Sequence, residues 1–233
     1  MNPLWNQLAA AAGLSLTEIQ DALLNRYLDL LFEANKTMNL TRIDDRATAE
    51  VLHIADAMSL LPHLPRERHE LADVGSGGGV PGIPLAVARP DVRVTLIEST
   101  KKKAAFLDRT TAALALLNLR VLPERAEDVA RGKLRESFDV VTARAVGPMN
   151  ILVEFCLPLI KTGGKLLAMK GAKTAQELPA AEKAVRLLNG GEPIVHPVQL
   201  PGAENHVIVE IPKLARTEPR YPRPPSQAKN KPL

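Results

Sequence analysis

A glycine-rich stretch, Asp73-Val74-Gly75-Ser76-Gly77-Gly78-Gly79-Val80-Pro81-Gly82, has residue types and spacing suited to binding a ligand. It follows a short apolar run, and its proline is suited to the first turn of a helix. Glycines let the backbone bend sharply and approach a ligand closely, and a helix start presents unpaired N–H groups to an anionic group. The stretch therefore predicts a ligand-binding loop between a strand and a helix.

Three interpretations of this loop compete. The dinucleotide fingerprint G-x-G-x-x-G/A fails in the register that begins at Gly75, because its sixth position is Val80. The register that begins at Gly77 restores the letters but lies two residues beyond the end of the strand. The acid-x-Gly-x-Gly-x-Gly loop of class I S-adenosylmethionine (AdoMet) methyltransferases fits from Asp73 as the sequence stands, and a glycine-rich turn with no ligand stays open.

A second acidic residue strengthens the prediction of a nucleoside ligand. Glu98 ends the apolar run Val92–Ile97, about 20 residues after the glycine loop. An acid at the tip of the second strand can hold ribose hydroxyls in both NAD and AdoMet folds, so it does not choose between the two cofactors. The alternative for Glu98 is a solvated loop acid.

The elements that must position these residues alternate between strand and helix from residue 70 onward. Predicted strands cover 71–74, 92–97, 120–122, 138–142, 164–169, 194–200 and 206–211, and predicted helices cover 81–88, 101–117, 149–160 and 175–188, with an acidic turn at 125–128. This alternation predicts an α/β, mostly parallel, doubly wound sheet, on which ligands lie beyond the carboxyl ends of the strands. The residues at those ends are polar or glycine: Gly75, Glu98, Ala126, Glu127, Arg144 and Lys170.

The first 68 residues are predicted to form a helical extension. Trp5–Ala12 is a short apolar segment, and a capping box at Ser15-Leu16-Thr17-Glu18 opens a second helix that runs to about Ala34. A third helix spans about 46–61 and stops at Pro62. His53 and Asp56 on that helix are expected to form a buried hydrogen-bonded contact rather than a catalytic dyad.

Composition narrows the protein class. The chain has 233 residues, of which 45% are hydrophobic, and it has one cysteine, Cys156. A single cysteine excludes a disulfide framework and a cysteine-rich metal site, and no metal ion is expected. With no signal peptide and no apolar run long enough to span a membrane, the sequence predicts a cytoplasmic protein, expected to be a monomer. The expected organisation is one domain over 1–211, with helices at 1–68 and the Rossmann-like core at 69–211.

The last segment, 212–233, differs in composition from the rest of the chain. It carries a net charge of +5 and six prolines, whereas the remainder carries −1. Because proline disfavours helix and sheet, the segment is predicted to be a flexible arm that binds the phosphates of a nucleic acid, with a solubilising tail as the alternative.

Together these motifs make the chain resemble the RsmG methyltransferases, also called glucose-inhibited division protein B, over nearly its whole length. The matching segments are Asn39-Leu40-Thr41, His53-x-x-Asp56, 73–84, Arg125-Ala126-Glu127, Ala143-Arg144-Ala145, Met169-Lys170-Gly171, Tyr221-Pro222-Arg223 and Lys231-Pro232-Leu233. The sequence departs from the family at Ala57-Met58, where Ser-Leu is usual, and at Asn205, where Arg is frequent. The second departure removes an expected RNA contact.

The resemblance implies a class I AdoMet-dependent fold and methyl transfer to guanine N7 in 16S ribosomal RNA, either free or in an assembling particle. The implied cofactor contacts are Gly75, Gly77, Val80, Glu98, Ser99, Thr100, Ala126, Glu127 and Arg144. Because N7 carries a lone pair and no proton, the reaction needs alignment and no general base. We therefore interpret Arg144, Arg125 and Lys170 as positioning cations, placed at phosphates, at O6 alone or at the cofactor carboxylate.

Two features that are absent from the sequence agree with methyl transfer to N7. The fourth predicted strand does not end in the Asn-Pro-Pro-aromatic motif of amino-group methylation, and Cys156 lacks the setting of a nucleophile. Two alternatives stay open, namely a methyltransferase for a protein or small molecule and a non-catalytic RNA-binding protein with a Rossmann-like shell.

Overall fold

The fold is an α/β sandwich around one seven-stranded sheet, described for residues 1–233 apart from the side chain of Lys229 in a computed structural model. The helices are α1 (Pro3–Ala11), α2 (Glu18–Met38), α3 (Arg46–Ala49), α4 (Asp56–Met58), α5 (Gly82–Ala88), α6 (Lys101–Ala113), α7 (Ala126–Arg131), α8 (Met149–Cys156), α9 (Thr174–Leu187) and α10 (Pro225–Asn230). The strands are β1 (Glu70–Val74), β2 (Arg93–Ile97), β3 (Leu119–Leu122), β4 (Phe138–Arg144), β5 (Ile160–Lys170), β6 (Ile194–Pro197) and β7 (Val207–Pro212).

The strand order is β3-β2-β1-β4-β5-β7-β6. The first five strands pair in parallel, whereas β7 is antiparallel to both β5 and β6. The chain winds outward from β1 in one direction to β3 and then returns to β4 on the other side of β1. This reversal between β1 and β4 is where a doubly wound sheet opens a crevice for a ligand, so the predicted fold class is confirmed.

The two faces of the sheet bury separate apolar clusters because neighbouring residues of each strand point to opposite sides. Leu71 of β1 and Val140 of β4 pack with the N-terminal helices, α5 and α6. Ala72 and Val141, one residue further along, pack with α7, α8 and α9 on the other face. The N-terminal helices therefore share their core with one face of the sheet.

Helix α2 also fixes the position of the glycine loop. The buried Tyr27 donates a hydrogen bond from its hydroxyl to the carbonyl of Gly78, at 2.8 Å. The capping box that starts this helix is formed by Thr17 and Gln20, not by the predicted Ser15-to-Glu18 pair, because Thr17 is the residue with extended backbone before the first turn. The helix ends at Met38, four residues later than predicted, where Asn39 adopts a left-handed conformation.

The third predicted helix is not a uniform α-helix. Its central residues, Glu50–Ala55, form a π-helical segment between α3 and α4, and Leu61–His63 then forms a separate 3₁₀ turn. Short π-helical segments inside helices are frequent at functional sites. The segment carries His53 and leads directly into Asp56, the first residue of α4.

Two other boundaries differ from the sequence prediction. The acidic stretch predicted as a turn at 125–128 is the start of helix α7, with Arg125 as its N-cap residue. Acids in a first helical turn favour the positive end of the helix dipole, which accounts for the helix there. Strand β5 begins at Ile160, because the predicted helix over 149–160 stops at Cys156 and is followed by a 3₁₀ turn, Leu157–Leu159.

The C-terminal segment is not the predicted flexible arm. Arg223 pairs with the fully buried carboxylate of Glu154, with Nη2 and Oε2 2.6 Å apart, and Tyr221 is buried in the second apolar cluster. Arg135 donates to the carbonyls of Thr217 and Tyr221, each at 2.7 Å, and the segment ends in α10. Prediction from composition failed here because two arginines of the segment, Arg216 and Arg223, pair with Glu136 and Glu154 of the domain.

Among the described residues, no helix is both long and apolar enough to cross a membrane.

Candidate functional site

The glycine loop follows β1 and turns back over the end of β2. Gly75 has a φ of +71°, and a Cβ placed there would lie 2.8 Å from Cγ2 of Val146, so only glycine fits. The backbone N–H of Gly77 donates to Oε2 of Glu98 at 2.9 Å, while Oε1 of Glu98 accepts the N–H of Thr100 at 2.7 Å. The predicted acid at the tip of β2 thus joins the glycine loop to the start of α6.

Asp73 supports the loop from below. Its carboxylate accepts hydrogen bonds from the N–H of Gly82 at 3.3 Å and from the hydroxyl of Thr142 at 3.1 Å. Burial raises the pKa of Asp73 to about 6, and these two hydrogen bonds oppose that rise. Because Thr142 lies on β4, Asp73 couples the glycine loop to the strand on the other side of the crevice.

A cavity of about 440 Å³ opens beside this loop, at the carboxyl ends of β1, β2 and β4. We call it the cofactor cavity. Five of the predicted site residues line it: Gly75, Ser99, Arg125, Ala126 and Glu127. Val146, Ile151 and Phe155 supply an apolar wall opposite them. Its volume suits a nucleoside-sized ligand, and the mixture of an apolar wall with a few polar groups is typical of cofactor sites.

Glu127 is the buried acid of the cofactor cavity. It is 4% exposed and lines the cavity next to Ala126. A carboxylate in this position can accept a hydrogen bond from a donor group of a ligand. This acid, together with the glycine cradle, fits a bound nucleoside with an exocyclic amino group.

A second cavity of about 340 Å³, here the acceptor cavity, lies at the ends of β4, β5 and β7. Its walls include Arg144, Lys170, Lys173 and His206. The buried carboxylate of Asp56 lies beneath them, with Oδ1 3.2 Å from Nδ1 of His206 and Oδ2 3.7 Å from Nη2 of Arg144. The hydrogen bond to Asp56 is the main reason that the pKa of His206 is raised.

The two cavities share one wall. Arg144 and Ala145 line the acceptor cavity, and the next residues, Val146 and Gly147, line the cofactor cavity. Nζ of Lys170 holds this loop through the carbonyl of Gly147, at 2.9 Å, and also pairs with Glu177 at 2.5 Å. A group in one cavity is therefore separated from the other only by the loop 144–148.

Ala145, at the centre of that loop, has a φ of +56°. A non-glycine residue in the left-handed region stores about 1–2 kcal/mol of strain, and such residues cluster at functional sites. The strained turn directs Arg144 into one cavity and Val146 into the other.

The sequence predicts a hydrogen-bonded contact between His53 and Asp56. In the structure His53 does not bond to Asp56. Its Nε2 is 3.0 Å from the hydroxyl of Thr41, and its buried Nδ1 has no partner among the described residues. Burial, followed by the positive charge of Arg144, lowers the pKa of His53 to about 4, so its ring is neutral. The predicted hydrogen bond between His53 and Asp56 is therefore wrong, although both side chains are buried.

The predicted site residues lie only in part at the two cavities, because Gly77, Val80, Glu98 and Thr100 line neither of them. Arg144 and Lys170 reach the acceptor cavity, whereas Arg125 lies at the cofactor cavity and Val80 packs against the first apolar cluster. His206 and Glu177 were not predicted as site residues, and Asp56 was interpreted as structural only. The loop 145–148 was not predicted as part of the site. One signal for it in the sequence is the Gly147-Pro148 pair at its end, which comes soon after a predicted strand.

A further cavity, of about 900 Å³, lies at the opposite end of the sheet, near the starts of β2 and β3. Two of its arginines have partners in the wall, since Arg93 pairs with Glu70 at 2.8 Å and Arg120 donates to Thr95 at 2.9 Å. Because it lies away from the carboxyl ends of the strands, it is not the expected ligand site of this fold.

Comparison with known sequences assigns a family to this arrangement. The sequence profile of a family described as rRNA small subunit methyltransferase G matches residues 20–206. The chain is 44% identical over 214 residues to a protein named Ribosomal RNA small subunit methyltransferase G from Chloroflexus aggregans, covering 91% of this chain and 90% of that relative. A protein of the same name from an Exiguobacterium species is 40% identical over 227 residues, covering 96% and 95% of the two chains.

Solved structures share the fold at low sequence identity. A SAM-dependent methyltransferase from Aquifex aeolicus has a TM-score of 0.56 at 15% identity, covering 74% of this chain and 96% of its own. A 16S rRNA (adenine(1408)-N(1))-methyltransferase from Catenulisporales acidiphilia has a TM-score of 0.53 at 15% identity, with coverages of 64% and 87%. These similarities establish a class I methyltransferase fold.

Proposed function

We propose, since this chain belongs to the rRNA small subunit methyltransferase G family, that it transfers a methyl group from AdoMet to N7 of a guanine in 16S ribosomal RNA. The observation that carries the proposal is the loop 144–148, which is at once a wall of the cofactor cavity and of the cationic acceptor cavity. Methyl transfer requires its two reactants in line at contact distance, and a shared thin wall suits that requirement.

The cofactor cavity offers a distinct group for each part of AdoMet. Glu98, with Ser99 and Thr100 beside it, would hold the ribose hydroxyls, and each Glu98 oxygen keeps a lone pair beyond its backbone contact. Glu127 and the N–H of Ala126 would face the adenine. The turn at Gly75 and Gly77 would admit the amino-acid portion, with Val80 and Arg144 completing the set. When bound, AdoMet supplies a methyl group activated by a positively charged sulfur.

In the acceptor cavity the side chains position the base and its phosphates and do not abstract a proton. Arg144 is oriented by Asp56, and Lys170 by Glu177. An arginine fork that took both O6 and N7 of guanine would block the lone pair that reacts, so we place Arg144 at O6 or at a phosphate. Because guanine N7 carries no proton, neither a general base nor a metal ion is needed.

Cys156 does not take part in this chemistry. It is fully buried on α8, and burial raises the pKa of its thiol. A buried, protonated thiol is inert as a nucleophile, which disfavours the covalent route used for carbon methylation.

The surface around the two openings is suited to RNA. Lys101 and Lys102 at the start of α6, Arg125 and Lys173 are exposed beside the cavities. Exposed cations around a site bind phosphates and contribute the salt-dependent part of RNA affinity. Arg216 and Arg220 of the C-terminal segment are also exposed, so we extend the RNA surface to them, although each is paired with a glutamate.

We propose that the protein acts as a monomer in the cytoplasm. The proposed partner is the small ribosomal subunit RNA or its assembling particle.

The test uses methyl-labelled AdoMet with 16S ribosomal RNA, and separately small-subunit particles, prepared from cells that lack this protein. We expect label at one guanine, and alkaline cleavage at the labelled position would identify N7-methylguanine. Arg144→Ala should lose at least about 100-fold in rate through misalignment, whereas Arg93→Ala, which removes an exposed cation at the opposite end of the sheet, should retain full rate. Label that enters only protein or small molecules would support a methyltransferase for one of those substrates. AdoMet binding without transfer to any fraction would contradict the proposal.

A further inference from the structure

Two histidines and a glutamate converge outside both cavities. His63 lies in the 3₁₀ turn Leu61–His63, His196 lies on β6, and Glu210 lies on β7. Their candidate ligand atoms all lie within 4.8 Å of one another. His196 and Glu210 come from one hairpin and His63 from a distant segment, so no metal-binding spacing motif in the sequence indicates them.

The register of the sheet explains how they meet. Glu210 pairs with Ile194 and His196 pairs with Ile208, so His196 and Glu210 are diagonal neighbours on one face of the hairpin. The 3₁₀ turn that ends the N-terminal helices covers this face and adds His63. Glu210 is four residues along β7 from His206, about 13 Å, which separates the cluster from the acceptor cavity.

The two oxygens of the Glu210 carboxylate face different groups. Lys165 holds Oε1 through Nζ at 3.1 Å. Oε2 faces both imidazoles, at 3.3 Å from Nε2 of His196 and 3.9 Å from Nδ1 of His63. Nε2 of His196 is within hydrogen-bond distance of this oxygen, whereas Nδ1 of His63 is not, and the two rings stand 4.2 Å apart between centroids.

We propose that His63, His196 and Glu210 form a binding site for a divalent transition-metal ion such as Zn²⁺. Ligand atoms around a tetrahedral Zn²⁺, at about 2.0–2.1 Å from the ion, stand about 3.3 Å from one another. The 3.3 Å distance from Oε2 to His196 matches this separation, whereas His63, at 3.9 Å from the same oxygen, would have to move closer. Two imidazole nitrogens and one carboxylate oxygen are a common zinc ligand set, with water at the fourth position.

A lysine next to the site limits its affinity for a cation. Lys165 acts in two opposing ways, since it orients the carboxylate but repels a cation. We therefore expect moderate affinity.

The ion would tie together two segments that meet again at the functional site. One is the N-terminal helical region, which carries Asp56, and the other is the β6–β7 hairpin, whose second strand begins next to His206. The role inferred is structural, with the ion bracing the contact between these segments.

The test titrates Zn²⁺ into the full chain after treatment with a chelator, by calorimetry, and repeats the titration with Co²⁺ to read the coordination from its visible spectrum. We expect one ion per chain, a Co²⁺ spectrum of tetrahedral type, and a higher melting temperature with Zn²⁺. His196→Ala and Glu210→Gln should each weaken binding at least about tenfold. His206→Ala removes a histidine outside the cluster and should leave the affinity unchanged.

Two results would overturn the proposal. One is wild-type protein that binds no Zn²⁺ at a one-to-one ratio. The other is equal affinity in wild type, His196→Ala and Glu210→Gln, which would mean binding elsewhere on the surface. Should His196→Ala fail to fold, as circular dichroism would reveal, Glu210→Gln keeps the side-chain shape and decides the outcome. None of these readouts depends on AdoMet or RNA.

Discussion

Oδ1 of Asp56 lies 3.2 Å from Nδ1 of His206, although 150 residues separate the two in the chain. Asp56 is almost completely buried, and its other oxygen faces Arg144. One carboxylate from the N-terminal helices therefore orients two side chains, one at the end of β4 and one just before β7. This makes the helical extension part of the acceptor cavity rather than a cover for the sheet.

The first prediction concerns this contact. Asp56→Asn should lower the pKa of His206 toward its ordinary value, because the hydrogen bond from the carboxylate is the largest cause of the raised pKa. A histidine whose folded pKa is raised contributes stability that is fully present below about pH 6.5 and is lost as the pH rises through the folded pKa. The variant should flatten this part of the stability curve. Nuclear magnetic resonance titration of His206 measures the shift, with the exposed Asp44→Asn as control. An unchanged titration in Asp56→Asn would contradict the assignment.

The second prediction tests the cofactor assignment. Glu98→Ala should weaken AdoMet binding by about 1.5–3 kcal/mol, or roughly 10- to 100-fold, because charge-assisted hydrogen bonds to the ribose are lost. Glu124→Ala is the matched control, since it removes an exposed acid from the rim of the same cavity. Isothermal titration calorimetry compares the two variants with wild type. Equal affinity in all three proteins would exclude Glu98 as the ribose ligand.

The third prediction separates backbone strain from steric blockage. Gly75 and Gly13 have similar φ angles, +71° and +74°, but a Cβ at Gly13 meets nothing within 4 Å. Both alanine variants should therefore lose about 1–2 kcal/mol of stability through the left-handed backbone. Only Gly75→Ala should also weaken AdoMet binding, because the new methyl group displaces Val146 into the cofactor cavity. Chemical denaturation and calorimetry measure the two effects, and AdoMet affinity that falls equally in both variants would refute the steric argument.

The fourth prediction concerns the C-terminal segment. Arg223→Ala should destabilise the protein by about 3–5 kcal/mol, because it leaves the fully buried carboxylate of Glu154 without its partner. Arg216→Ala removes an arginine whose side chain is 86% exposed and should cost less than about 1 kcal/mol. Urea unfolding distinguishes the two. Equal stabilities would mean that the segment is only loosely attached.

Local sequence predicted the fold and the glycine loop, because hydrophobic periodicity and glycine spacing act over a few residues. Gly75 and Glu98 were found from spacing alone, and Arg144 and Lys170 as the ends of predicted strands. The Asp56–His206 contact was not, since it depends on how an N-terminal helix packs against a distant strand. The C-terminal segment was mispredicted for a related reason: its composition shows the charge of Arg223 but not the buried Glu154 that neutralises it.

The last prediction concerns the atom that receives the methyl group. If N7 of guanine is the nucleophile, no residue has to lose a proton, and the single-turnover rate should be nearly flat from mildly acidic to alkaline pH once binding is saturated. Cys156→Ser should keep the full rate of transfer in protein that remains folded, because the thiol is buried and protonated. The decisive substrate is an RNA with 7-deazaguanine at the mapped position, which keeps the base-pairing edge but has carbon in place of N7. This RNA should bind with the affinity of the unmodified RNA and should not be methylated, as scintillation counting of transferred label would measure. Methyl transfer to the same nucleotide of the 7-deazaguanine RNA would show that another atom is the acceptor.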